Sequence, residues 1–135
     1  MESSSLRLRG TGGWTLLVGP GFEVRDNGDS VQAVAGDRIV YLSSLRIGAP
    51  GAAVPAARIR ALVAARLGPG ERLSHVGPSV QGDAEIRSKG DAWQLTGSMC
   101  ADGTVATCVI DFRASSDRSW AISVWQSLLC DGVAA

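Results

Sequence analysis

The chain has 135 residues, with 13 basic side chains against 13 acidic ones, so its formal charge is zero. A balanced charge excludes the basic footprint of a nucleic-acid-binding domain, and no stretch approaches the roughly 18 to 20 apolar residues of a membrane span. The length predicts one domain burying about two-thirds of its extended-chain surface, a core that needs no disulfide or metal staples.

Residues 1–12 are expected to be a flexible leader, and residues 13–135 a single α+β domain. The opening from Met1 to Gly10 is polar and lacks the apolar core of a signal peptide. Three cysteines, an odd number, do not make a secreted disulfide framework. The expected address is therefore the cytoplasm.

A first strand begins at Trp14 and runs to Val18, where Gly19-Pro20-Gly21 breaks it. Phe22 to Arg25 continue it as far as the turn from Asp26 to Asp29. Ser30–Val34 and Arg38–Leu45 then read as a hairpin around Gly36-Asp37. That loop pairs Val31 with Leu42 and Ala33 with Val40 on one face, and Gln32 with Tyr41 and Val34 with Ile39 on the other. Gly48 to Val54 is a small-residue linker, and Pro55 suits the first turn of a helix. The helix is predicted over Ala56–Leu67, with Ile59, Leu62, Val63 and Leu67 on one stripe; Gly68-Pro69 ends it. A polar loop carrying Glu71, Arg72 and His75 follows.

The best-specified stretch is a three-stranded antiparallel meander from Gln81 to Arg113. Asp102-Gly103 is the strongest short hairpin signal, because a type I′ turn needs positive φ at both positions. It sets Met99 opposite Ala106, Gly97 opposite Cys108, Leu95 opposite Ile110 and Trp93 opposite Phe112. A second two-residue loop, at Lys89-Gly90, sets Ile86 opposite Trp93 and Ala84 opposite Leu95. Both turns yield one apolar face, which a one-residue slip would destroy. That face predicts a core of Ala84, Ile86, Trp93, Leu95, Met99, Ala106, Cys108, Ile110 and Phe112.

The tail alternates as a strand would, but it also carries caps at both ends: Ser116 before Asp117, and Gly132 beyond Cys130. The caps favour a helix with Trp120, Ala121, Val124, Trp125 and Leu128 on its apolar stripe. The expected fold is thus α+β: an antiparallel sheet of about six strands in two meanders, each followed by a helix packed on the sheet.

The layout combines a Trp14 strand region, a hairpin, the Ala/Leu helix at 56–67, the segment Val80 to Ala84 opening a run of long strands, and Ser127-Leu128 in a closing segment. It resembles the Mog1/PsbP family of small α+β proteins, which includes bacterial DcrB-like domains. The resemblance covers most of the chain and implies the fold. Unlike exported members, this sequence shows no signal peptide or lipid-attachment cysteine near its start. Family roles run from photosystem support to small-GTPase binding, and no diagnostic motif carries one of them onto residues here.

Catalytic chemistry finds little footing. Cys100 and Cys108 flank the Asp102-Gly103 turn, but the register puts them on opposite faces, against a disulfide, and their spacing is no zinc pattern. Cys108 reads as core, whereas Cys100 would be reactive only beside a base or cation. His75, the single histidine, would need a distant thiol within reach to form a nucleophile pair. Glu85 and Asp111 share a face, yet Arg87 and Arg113 nearby make ion pairing the simpler account. Gly10 to Gly13 precede a strand, the wrong context for a phosphate loop. No cofactor and no metal are expected.

The surface worth following is the semi-apolar face of the meander: Thr96, Ser98, Cys100, Val105, Thr107 and Val109, joined by Trp125. Its plain reading is a face covered by a helix or loop. Its functional reading is a docking face for a protein partner or a second subunit. The sequence thus reads as a non-catalytic interaction or adaptor domain, a homodimer being one form. The alternative is a small enzyme or ligand-binding protein with a cavity between helix and sheet.

Overall fold

A computed structural model describes residues 6–48 and 51–130. In chain order the strands and helices are β1 (Arg7–Arg9), β2 (Trp14–Leu17), β3 (Glu23–Asp26), β4 (Ser30–Ala35), β5 (Arg38–Arg46), α1 (Ala56–Ala64), β6 (Glu71–Val76), β7 (Gln81–Lys89), β8 (Ala92–Ala101), β9 (Thr104–Phe112), α2 (Arg118–Gln126) and β10 (Leu129–Cys130). A seven-stranded antiparallel sheet has the order β3-β4-β5-β9-β8-β7-β6, and a three-stranded sheet the order β1-β2-β10. The α+β class stands, but the expected six strands are too few.

Two segments read as irregular are strands. Arg7–Arg9, assigned to the loose leader, pair with β2 and seat Leu8 in the core at 1 % exposure; residues 1–5 lie outside the described residues. Glu71–Val76, read as a polar loop, is the edge strand β6 against β7. An edge strand has only one neighbour to satisfy, so exposed polar side chains suit it and blur its sequence signal.

The register of the central hairpin is as expected, with Leu95 opposite Ile110 and Trp93 opposite Phe112. Its turn differs: Gly103 has φ of 79°, but no residue other than glycine has positive φ among those described. Asp102 is therefore not in the type I′ conformation. Its carboxylate is occupied elsewhere, accepting the Ala56 N–H at 2.9 Å and so capping α1 from another element. The β7–β8 loop is Gly90-Asp91, with Lys89 paired to Ala92, so Ile86 faces Leu95 and Ala84 faces Gly97. This slip moves each partner by two positions. Two is the period of a strand, so every side chain keeps its predicted face. Eight of the nine predicted core residues are buried, and Trp93 is half-buried.

The inner face of the large sheet packs against the small sheet and α2 in one cluster. That cluster holds Trp14, Leu16, Leu42, Leu95, Met99, Ile110, Phe112, Trp125 and Leu128. The other face carries α1, through Ala56 and Ile59 on Cys100 and Val105. The helix was expected on the apolar side; the inner face is already filled by β1, β2 and α2, so α1 takes the opposite one. It also ends three residues earlier than predicted, and Leu62 of its stripe stays 65 % exposed. Among the described residues, no helix is long and apolar enough to cross a membrane.

Candidate functional site

Helix α1 lies mainly over β7 and β8, reaching β9 at Val105 and leaving β5 beside it open. The result is an open groove of about 760 Å³ between helix and sheet. Ile59, Leu62 and Val63 form the helix wall, and Val105, Thr107, Ser43 and Leu45 form the floor. β-Strand alternation explains the floor: Ser43 pairs with Thr107 and Leu45 with Val105, so all four point to the α1 side. Leu45 and Leu62 stand at the rim, 64 % and 65 % exposed. Asp29 and Arg66 also line it, and neither is in an ion pair among the described residues.

The seven residues of the expected docking face separate. Val105 and Thr107 line the groove, and Thr96 and Val109 lie half-buried farther along the same face. Ser98 and Cys100 are closed off, at 4 % and 0 % exposure. Trp125 is a correction: it is fully buried on the inner face, its Nε1 donating to the Ser98 carbonyl at 3.1 Å. Its indole occupies the space left by the missing side chain of Gly97, where a Cβ would lie 2.5 Å from Trp125 Cδ1. An indole in a gap of that shape is core packing, which sequence periodicity alone does not separate from an interface anchor. Leu45 and Leu62 were the residues missed: Leu62 reads as part of the helix's apolar stripe, and Leu45 reads only as the end of a strand.

The groups considered for catalysis do not converge. Cys100 lies on the α1 face, and burial pushes its thiol up to about 11. Cys108 is on the inner face, pushed by burial to about 12. Both are protonated and poorly nucleophilic at neutral pH. His75 sits on β6 with its ring edge-on to Trp125, 6.2 Å between centroids. Glu85 and Asp111 are two strands apart, Glu85 bonded to Arg87 and Asp111 accepting from Gln94 at 2.9 Å. Arg60 grips Asp83 with two nitrogens, at 2.7 and 3.1 Å, and Ser74 donates to the same carboxylate. Those bonds hold Asp83 below the usual carboxylate range, the Arg60 bond foremost. Among the described residues, no group of three or more His, Cys, Asp or Glu side chains is placed to hold a metal.

No family model and no curated protein matches the sequence. Solved structures do resemble the fold. A crystal structure from Bacteroides thetaiotaomicron aligns over 87 % of this chain, at a TM-score of 0.59 and 9 % identity. The chain spans only 45 % of that protein's length. The solution structure of a cyanobacterial PsbP from Synechocystis aligns over 96 % of this chain and 94 % of its own, at 16 % identity and a TM-score of 0.48. At such identities the likeness is one of fold alone.

Proposed function

We propose that this chain is a non-catalytic interaction domain whose docking site is the groove between α1 and the sheet, and that its occupant is a second copy of the chain. The observation that carries the reading is the rim. Leu45 and Leu62 line the groove yet stay 64 % and 65 % exposed, an apolar pair that a second copy seated on the groove would remove from water. The lining also carries its own complement, a cation (Arg66) and an anion (Asp29) that have no ion-pair partner among the described residues. Two-fold pairing brings each Arg66 to the partner's Asp29, the self-complementarity an isologous interface requires. The cytoplasm is part of the same proposal, since buried thiols at Cys100 and Cys108 need no oxidising compartment; cell fractionation checks it.

Light scattering across a concentration series tests the assembly. The wild type is expected to approach twice the monomer mass as concentration rises. Leu62→Arg should remain a folded monomer, because its side chain is mostly exposed already. Asp29→Arg should weaken association, and adding Arg66→Asp should restore it. A chain that stays monomeric throughout, or a charge swap without rescue, overturns the assembly. The second reading, a small apolar ligand in the groove, is favoured by its volume, which falls within the roughly 300–1,000 Å³ of ligand pockets. Saturable binding of such a ligand by a strictly monomeric chain would support it.

A further inference from the structure

A second cavity lies on the opposite side of the sheet, away from the groove. It holds about 310 Å³ and is lined by Glu71, Ile86, Ser88, Trp93, Phe112, Ser115 and Arg118. Its aromatic wall is a parallel pair, Trp93 and Phe112, with centroids 6.1 Å apart and planes within 15°. Phe112 and Ile86 are buried, whereas Trp93 is only half-buried. Arg118, at the start of α2, donates to Glu71 of the edge strand. Both partners of that ion pair are about half exposed, 44 % and 50 %.

We propose that this cavity binds a small planar carboxylate. The indole supplies a flat apolar surface for a conjugated ring or chain. The guanidinium presents a planar fork matched to a carboxylate, and its present acceptor is itself a carboxylate that an incoming one can replace. An exposed ion pair contributes little to stability, so exchanging Glu71 for the ligand costs the fold little. The Ser88 and Ser115 side chains, both exposed, make no side-chain hydrogen bond among the described residues and line the same cavity.

Benzoate and its uncharged counterpart benzamide are the probes, titrated into the intact chain while the backbone amides are followed by NMR. Benzoate is expected to bind saturably in the millimolar range, shifting the amides of Trp93, Phe112 and Arg118, with benzamide weaker. Arg118→Gln should weaken benzoate about tenfold, the loss of a hydrogen bond to a charged group, and bring it level with benzamide. Glu71→Gln removes the competing carboxylate and should tighten benzoate severalfold. Both positions are exposed, so neither variant threatens folding. Shifts elsewhere, equal binding of the two probes, or no response to Arg118→Gln would each overturn the proposal.

Discussion

Glu85 is a carboxylate 2 % exposed, sealed beneath the turn by which the chain leaves α1. It accepts from Arg87 at 2.9 Å and from the backbone N–H groups of Gly70 and Gly68 at 2.6 and 3.0 Å. The Arg87 bond first, then the Gly70 N–H, hold it at about 2, well below the usual 4.5, although burial pushes the other way. Only glycine fits at position 70, where a Cβ would lie 2.6 Å from the Ile86 carbonyl and 2.8 Å from Glu85 Oε2. A carboxylate whose folded value is depressed stabilises fully above its unfolded value and loses that contribution as pH falls. Glu85 should therefore contribute on the order of 3 kcal/mol above pH 4.5 that disappears toward pH 2. Urea unfolding at a series of pH values checks this. Glu85→Gln should be less stable at pH 7 and show a flatter acid limb, with Asp83, also held low, contributing to the remaining slope.

Among the elements, β1 is the one whose weight is least evident from its three residues. Leu8 nonetheless sits in the main cluster with Trp14 and Leu16, so Leu8→Ala should cost about 2–5 kcal/mol. A thermal melt unchanged by that substitution would return residues 7–9 to the status of a loose leader. The reason β1 escaped the sequence reading is local: three residues, two of them exposed arginines, carry no period. β6 escaped for a related reason, since only Leu73 among its apolar side chains turns inward, half-buried, while Val76 is 70 % exposed. The long central strands were legible because turn chemistry and two-residue alternation agreed on every face. α2 was legible too, though not through its expected cap: no side chain caps it, and the Asp117 carboxylate is taken by Arg38 at 2.8 Å. The groove was half legible. Thr107 and Val105 were placed on the right face, but where α1 would lie across that face depends on contacts distant in sequence.

For the whole molecule, the proposed self-association through the groove would make folding a second-order process, because mass action adds to the stability of anything that binds only the native state. The melting temperature of the wild type should rise with protein concentration. That of Leu62→Arg should not, and calorimetry at two concentrations separates them. The cap that Asp102 places on α1 has a consequence for the order of assembly. A helix of nine residues is too short to persist by itself in water, and its N-terminal donor at Ala56 finds its acceptor 46 residues later in the chain. A stable α1 is therefore expected only once β8 and β9 have met and their turn has closed. On unfolding the sequence reverses, with α1 lifting before the strands part. Native-state amide exchange should find the α1 protons opening at lower free energy than those of β8 and β9, and Asp102→Ala should widen the gap. The wall of the groove is thus expected to form after the central hairpin and to open before it.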